Sequence, residues 1–266
     1  RQERTDHLRH PHTRKRRRRK TGPEDLGRSP GLSRRAVMQI DIVSLFPRMF
    51  DGPLSESILK RAREAGQVTI RCIDLREFAT DRHRSVDDRP YGGGAGMVLM
   101  PGPVFRAVEA LESPRSRVIL LTPQGKRFEQ TDARRLARDN HLILLCGHYE
   151  GLDERIRQTL VDEEISIGDF VLTNGSLAAM AVTDAVVRLL PGVLGSSESV
   201  RNESFGDDRM LEYPQYTRPA EFRGMRVPDV LLSGDHKAIQ RWRVQQQKIR
   251  TRARRPDLLQ QDGEEQ

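Results

Sequence analysis

From Met38 onward, short apolar runs alternate with segments in which apolar residues recur at helical spacing. The runs are rich in β-branched residues, which is typical of buried strands. The predicted strands are 38–44, 67–74, 117–121, 141–146 and 165–172. Helical spacing predicts a helix before Gly66, a second after Pro103 and a third over Ser176–Leu190. This alternation predicts an α/β domain over residues 38–195.

The pattern changes after residue 195. Residues 196–210 have no period and few apolar groups, which predicts a flexible linker. Beyond it, residues 236–255 have helical spacing, eight Lys or Arg and no acid, with Ile239, Trp242 and Ile249 on the expected core-facing side. The sequence therefore predicts a small helical domain at 211–266. Its basic face is explained equally well by contact with RNA and by ordinary solvation.

The positive charge of the chain lies almost entirely in its first segment. Residues 1–37 hold 13 Lys and Arg against 4 Asp and Glu, a net charge of +9, whereas the whole chain has +8. The segment has no apolar period and three prolines, which predicts disorder. Two interpretations stay open, a basic arm that binds polyanions and sequence upstream of a start at Met38. The second is favoured because periodic structure begins at Met38.

Hydropathy and cysteine content bear on the cellular compartment of the protein. No apolar run reaches the length of a membrane span, and Cys72 and Cys146 are far apart, without a C-x-x-C pair. These features favour a soluble protein of a reducing compartment, which we take to be the cytoplasm, without a structural zinc site.

Two glycine-bounded segments carry the strongest chemical signal. Cys146–Gly151 closes a predicted strand, and Ser166–Gly175 follows about twenty residues later. Glycine at a strand-to-helix turn lets main-chain N–H and C=O groups approach a ligand closely. Neither segment has the dinucleotide fingerprint, and Leu120 stands where a P-loop before Lys126 needs its first glycine. The segments predict a ligand pocket built largely of backbone and weaken the case for a Rossmann-type enzyme.

Taken in order, these segments resemble bacterial tRNA (guanine-N1)-methyltransferases of the SPOUT class, the TrmD family. Further motifs that carry the resemblance are Ser44–Pro47, Asp81–Gly94, Thr122–Gly125, Pro191–Gly195, Tyr216–Pro219 and Val230–Gly234. The match runs from about Met38 to Leu259. It implies a SPOUT-type trefoil-knotted parallel-sheet domain followed by the small helical domain. It also implies a homodimer whose active site is shared between subunits, with tRNA as substrate.

The resemblance implies S-adenosyl-L-methionine as methyl donor and N1 of the guanosine at tRNA position 37 as acceptor. The segments 122–125, 146–151 and 167–175 match the donor site of the family. The residues expected to bind the donor are Pro123, Gly147, Tyr149, Glu150, Ile167, Gly168, Asp169, Phe170, Val171, Leu172 and Gly175. The chain departs from the family at Asn174, where a glycine is frequent, and at Ala178, where a proline is frequent.

Guanine N1 carries a proton at neutral pH, so methylation there requires a base and a partner for the charge that moves onto O6. The resemblance places a linker aspartate in the first role, and that position is Glu203 here. Arg188 matches the catalytic arginine. The ordinary explanation for Glu203 is a solvated linker acid. The ordinary explanation for Arg188 is a cation at a helix C-terminus, which stabilises the helix by about 0.3–1 kcal/mol. The replacement of Asp by Glu keeps one competing class open, an RNA-binding SPOUT-like protein without chemistry.

The loop 81–97 combines acids, arginines and glycines. Its acids lack the spacing of metal ligands, so no metal site is predicted, although the resemblance suggests a magnesium requirement. Arginines suit phosphate contact and glycines suit close approach of backbone to RNA. The residues expected to bind substrate are His83, Arg84, Asp87, Gly94 and Gly96.

Overall fold

The computed structural model describes residues 37–195, 203–206 and 210–259. Its strands are β1 Met38–Ser44, β2 Val68–Asp74, β3 Asp87–Asp88, β4 Val98–Leu99, β5 Ser116–Arg127, β6 His141–Cys146, β7 Glu163–Ser166, β8 Glu221–Phe222 and β9 Met225–Arg226. Its helices are α1 Ser57–Glu64, α2 Pro101–Leu111, α3 Gln130–Leu136, α4 Glu154–Leu160, α5 Ser176–Val187, α6 Asp229–Leu232 and α7 His236–Arg254. Short 3-10 helices lie at Pro47–Phe50, Pro53–Ser55, Leu75–Phe78 and Pro256–Leu259.

The centre of the fold is a five-stranded sheet in the order β2-β1-β6-β5-β7. Every neighbouring pair in it is parallel, whereas β3–β4 and β8–β9 are short antiparallel pairs. The predicted α/β class with a parallel sheet is confirmed. Most of the predicted basic extension (1–37) and of the predicted linker (196–210) lies outside the described residues, and the domain boundaries stay predictions.

The two faces of the sheet bury separate apolar clusters. On β1, Ile40 and Ile42 belong to one cluster and Val43 to the other, as the two-residue period of a strand requires. The first cluster includes residues of α1, α3 and α5, and the second includes residues of α2 and α4. Helices therefore cover both faces, which explains why the strands are continuous apolar runs in the sequence.

The predicted strand 165–172 is wrong over most of its length, because β7 ends at Ser166. There the Ser166 hydroxyl accepts a hydrogen bond from the Gly168 N–H and donates one to the Gly168 carbonyl, and Gly168 has a φ of +152°. The chain turns away from the sheet, leaving Phe170 53% and Val171 84% exposed. Apolar side chains that resemble a strand in the sequence therefore lie in a surface loop.

Other boundaries differ by smaller amounts. The predicted strand 117–121 continues as β5 to Arg127, with a register shift against β7 between Leu121 and Lys126. The predicted helix Ser176–Leu190 ends at Val187. The pattern does not predict α3 and α4, since seven residues are too few to show a clear helical period.

The inner face of α7 is more polar than predicted. The helix begins where the Asp235 carboxylate accepts hydrogen bonds from two main-chain N–H groups, and it buries Gln247 and Thr251. Ile249, predicted to face the core, is 52% exposed. The Thr251 hydroxyl accepts from the Leu211 N–H and donates to the Gln247 carbonyl. This side of α7 packs against main-chain N–H and C=O groups that need hydrogen-bond partners. Polar side chains supply those partners, and apolar ones would not.

A buried polar network crosses the amino-terminal half of the sheet. Asp41 of β1 is fully buried and lies 2.6 Å from the Arg71 Nε and 2.8 Å from the His141 Nε2. Burial acts to raise the pKa of Asp41, but hydrogen bonds from Arg71, Gln39 and His141 outweigh it and hold that pKa below its usual value. The network joins β2, β1 and β6 at one level of the sheet.

No helix in the described ranges has both the length and the apolar character needed to cross a membrane.

Candidate active site

Three loops meet at the carboxyl edge of the sheet. They follow the apolar part of β5, the end of β6 and the end of β7, and they enclose a cleft of about 280 Å³. Residues 120–124, 147–152 and 171–174 line it, together with Arg157 of α4. Ligands of open α/β sheets bind in crevices at this edge, because the loops there converge.

Six of the residues predicted to bind the donor line the cleft: Pro123, Gly147, Tyr149, Glu150, Val171 and Leu172. The other five lie around it. Ile167 packs against the core, Asp169 is exposed, and the Phe170 ring lies where a Cβ on Gly168 would be. Gly175 is buried behind the cleft at the amino end of α5.

Two glycines let backbone segments cross at distances that no side chain permits. A Cβ on Gly175 would lie 2.8 Å from the Cys146 Cα and 3.0 Å from the Gly147 nitrogen, and the Gly175 N–H donates to the Gly147 carbonyl at 2.9 Å. A Cβ on Gly125 would lie 2.5 Å from the Glu164 carbonyl carbon. The loops are thus held together by main-chain contact.

Side chains that the sequence argument did not select shape one wall. The His148 Nδ1 lies 3.0 Å from the Thr173 carbonyl oxygen, and the His148 ring makes an edge-on contact with Phe46, their centroids 5.1 Å apart. The Asn174 amide points to the Met49 sulfur at 3.7 Å. The signal available in the sequence was the position of Phe46 within the Ser44–Pro47 motif and of His148 between two glycines.

Asp87 connects the glycine-rich loop to the cleft. Burial raises the pKa of the Tyr149 phenol, and the negative charge and hydrogen bonding of Asp87 raise it further. The phenol therefore keeps its proton at neutral pH. A Cβ on Gly96 would overlap the Glu150 side chain. The main-chain N–H of Glu150 donates a hydrogen bond to the Met97 carbonyl. Two of the five predicted substrate residues, Asp87 and Gly96, thus border the cleft.

The other three lie in exposed parts of the loop. His83 and Arg84 belong to a turn in which the Asp81 carboxylate accepts from the His83 and Ser85 N–H groups and the Ser85 hydroxyl. A Cβ on Gly94 would meet nothing within 4 Å, although its φ of +120° is strained for other residues. The structure does not bring these three residues to the cleft.

The same turn bears on the suggested magnesium ion. The Asp81 oxygens already accept three hydrogen bonds from their own loop. Across residues 37–195, 203–206 and 210–259, no three His, Cys, Asp or Glu side chains are grouped so as to hold a metal ion. These acids do not fit a divalent cation, and we assign no step to one.

The two predicted catalytic residues bind each other. The Arg188 Nη2 donates to both carboxylate oxygens of Glu203 at 2.7 Å, and the side chains are 25% and 33% exposed. The segment that carries Glu203 is fastened to α3, because the Arg134 guanidinium donates to the Phe205 carbonyl at 3.1 Å. A linker acid is thereby held in one place beside the end of α5.

The pair and the cleft lie at opposite ends of one helix. α5 begins beside the cleft at Ser176, and Arg188 follows its last residue. Its 12 residues span about 18 Å. This length exceeds the reach of an arginine side chain, so Arg188 does not act at the cleft beside the start of its own α5.

Comparison with known proteins identifies the family. The profile described as tRNA (Guanine-1)-methyltransferase TrmD matches residues 38–261. The tRNA (guanine-N(1)-)-methyltransferase of Geobacillus kaustophilus is 62% identical over 224 residues, covering 84% of this chain and 91% of its own. Those of Carboxydothermus hydrogenoformans and Chloroflexus aggregans are 58% and 60% identical over 222 and 225 residues, each covering 84% of this chain, and 87% and 88% of their own lengths. The chain belongs to the tRNA (guanine-1)-methyltransferase family.

One side of α7 is strongly basic. Lys237, Arg241, Lys248 and Arg252 are exposed, and their spacing places them along one side of the helix. Within the described ranges none of them is in an ion pair. We call these four side chains the α7 stripe.

Proposed function

We propose that this chain transfers a methyl group from S-adenosyl-L-methionine to N1 of the guanosine at position 37 of tRNA, beside the anticodon. The observation that carries the proposal is the convergence of the three loops on one cleft, in a chain that belongs to this family. The names of the relatives favour this function over an RNA-binding protein without chemistry.

The cleft suits a donor of this kind. Gly147 and Leu172 line the cleft, where their main chain would contact an adenosine, and Tyr149, Pro123 and Val171 supply apolar walls. Val171 is 84% exposed, a state that a ligand would relieve. When bound, the donor supplies a methyl group already activated as a sulfonium. The enzyme has to hold it and to align the acceptor.

Arg188 and Glu203 match the edge of guanine that reacts. That edge presents the N1 proton beside the O6 acceptor, and the pair presents a carboxylate beside a guanidinium. Glu203 takes the N1 proton, and Arg188 donates to O6 as negative charge moves there. Within the described residues only Nη2 of Arg188 is engaged, so Nε and Nη1 are left to bind O6. Arg188 thus holds the general base Glu203 in place and keeps N–H groups free to donate to guanine O6.

A homodimer brings the two halves of the site together. Within one chain, α5 separates the cleft from the pair by about 18 Å. A second copy with twofold symmetry can place its Glu203 and Arg188 opposite the first copy's cleft, and the reverse holds for the second cleft. Each active site then uses the loops of one subunit and the pair of the other.

Two surfaces suit the tRNA backbone. The α7 stripe supplies charge that attracts phosphates without regard to sequence. The loop 81–97, with Arg84 and Gly94 exposed, borders the cleft and is the expected contact to the anticodon loop. Since tRNA is the substrate, we place the protein in the cytoplasm.

We further propose that the domain has the trefoil knot of the SPOUT class. Gly125 lies against the main chain of β7 at the register shift of β5, and Gly175 lies against the end of β6, both too closely for a side chain. The topology is rare, and the family is the reason to expect it.

Methyl incorporation tests the proposal. Radiolabelled S-adenosylmethionine and an unmodified tRNA with guanosine at position 37 should yield label in the RNA, and digestion should recover it as N1-methylguanosine. The same tRNA with adenosine at position 37 is the control. Equal labelling of both tRNAs, or donor binding without labelling of either, would refute the proposal.

A further inference from the structure

The C-terminal region contains a second cleft that the proposed reaction does not use. It has a volume of about 400 Å³ and is lined by residues 213–218, 220 and 227, by α6 and by the first half of α7. Three of its side chains are aromatic, Tyr213, Tyr216 and Trp242, and two are cationic, Arg218 and Arg243. No acidic side chain lines it. We call it the aromatic cleft.

The aromatic rings of this cleft are partly open to solvent, Tyr216 most of all. Tyr216 is 49% exposed, and its ring centroid lies 6.4 Å from that of Trp242, with the planes inclined by 52°. Tyr213 and Trp242 are half-buried. Aromatic groups of a helical domain normally pack closely in its core, but this cleft leaves ring faces accessible.

A cation is fixed at the wall of the cleft. The Arg243 guanidinium lies over the Tyr213 ring, 4.8 Å from its centroid. The Arg243 Nε is buried without a hydrogen-bond partner among the described residues. The cation is therefore held by the Tyr213 ring and not by a hydrogen bond at its Nε.

We propose that the aromatic cleft binds an unpaired nucleobase of the RNA substrate. Bases stack on aromatic faces, their ring nitrogens and carbonyls accept hydrogen bonds, and the attached phosphate carries negative charge. The cleft offers those three complements in Tyr216 and Trp242, Arg243, and the exposed Arg218. The α7 stripe lies on the opposite side of the same helix from Ile239, Trp242 and Arg243, so Arg218 is the cation that meets the phosphate beside the bound base.

An RNA base fits these features better than a second copy of the chain. Tyr, Trp and Arg are frequent in protein interfaces as well as in RNA sites, but within the described residues Arg218 and Arg243 have no carboxylate to pair with, which leaves both cations for a polyanion. The proposal rests on the proposed function, because it assumes that the chain binds RNA. It adds a site for a base other than the one that is methylated.

The chain contains a single tryptophan, so its fluorescence reports on this cleft. We would titrate the full chain with an RNA hairpin that has an unpaired loop, and with the same hairpin carrying abasic loop nucleotides. We expect the first hairpin to quench Trp242 emission and the second to leave it unchanged, since the second keeps the phosphates but has no base to stack.

Substitutions locate the effect. Tyr216→Leu keeps apolar bulk but removes a stacking face, and it should weaken hairpin binding by about 5- to 150-fold. Tyr213→Leu removes the ring on which the Arg243 guanidinium lies, and it should weaken hairpin binding as well. Phe222→Leu is the matched control, because Phe222 is 54% exposed but does not line the cleft, and it should change nothing. Circular dichroism would establish that each variant is folded, and donor affinity should be unchanged in all three.

Three outcomes would overturn the proposal. They are equal quenching by the abasic hairpin, equal losses in Tyr216→Leu and Phe222→Leu, and a Trp242 emission change that depends on protein concentration without RNA. The last would assign the cleft to a second copy. Methyl transfer by the wild-type chain is measured separately, so a failure of the base site leaves the proposed function standing, and a failure of methyl transfer is seen apart from hairpin binding.

Discussion

The donor cleft and the Arg188–Glu203 pair serve one proposed reaction but are built in different ways. The cleft is formed by three loops at the sheet edge, which close main-chain approaches at Gly125 and Gly175 hold together. The pair consists of two side chains, one at the end of α5 and one in a segment fastened to α3. Most single substitutions leave a backbone arrangement intact unless the new Cβ has no room. A pair of side chains, in contrast, loses its acid–base function when one functional group is replaced. The two regions should therefore fail in distinguishable ways.

The largest effect is expected at the pair. Glu203→Gln keeps the shape of the side chain and removes the base, so kcat should fall by about 10²- to 10⁴-fold. Donor affinity measured by calorimetry should stay within error, because the cleft contains no part of Glu203. Glu221→Gln, at an exposed acid on β8, is the matched control and should keep full activity. Retention of single-turnover methylation by Glu203→Gln would exclude it as base.

The next test asks whether the two regions belong to different subunits. Gly147→Val should block the donor cleft without disturbing the core, since a Cβ at Gly147 has only one neighbour, the Leu121 carbonyl at 3.6 Å. Mixed after subunit exchange, the inactive Gly147→Val and Glu203→Gln chains should recover about one quarter of wild-type activity, because half of the dimers then hold one complete site. A mixture that stays inactive would show that each site lies within one chain.

A smaller effect is expected where backbone segments cross. Gly175→Ala places a methyl group 2.8 Å from the Cys146 Cα, so the free energy of unfolding should fall by about 1–3 kcal/mol and donor affinity with it. Gly52→Ala is the control, since a Cβ there meets nothing within 4 Å and its φ is −66°. Urea unfolding measures both variants. Equal stability of the two variants would mean that the backbone at Gly175 can move enough to accommodate a methyl group.

The smallest effect is expected in the Asp41 network, away from both regions. Asp41→Asn keeps most hydrogen bonds but loses the charge opposite Arg71, which should cost about 1 kcal/mol of stability at pH 7 and leave kcat unchanged. Because folding lowers the pKa of Asp41, its contribution is present above the unfolded pKa of about 3.9 and is lost as the pH falls through the folded value. Urea unfolding at pH 7 and in acid should therefore show the difference between variant and wild type shrinking. A difference that grows in acid would contradict the assigned direction.

Much of the molecule follows from patterns along the chain. Continuous apolar runs such as His141–Cys146 predict buried strands, because both sheet faces are covered by helices. The glycines of the three loops indicate a backbone-built pocket, and the ordered motifs identify the family. Local patterns fail at Val171, where apolar residues lie in a loop, and at Ile249, where the exposed face of a helix carries an isoleucine.

Tertiary structure decided the rest. Residues 122–124, 147–152 and 171–174 are far apart in the chain, and only the order β6-β5-β7 brings their loops to one edge. The contact between Arg188 and Glu203 and their distance from the cleft depend on where α5 ends and where the following segment docks on α3. A sequence pattern records which side chains prefer burial, which is a local property. Which segments cross, and at what distance, is set by the packing of the whole sheet and its helices.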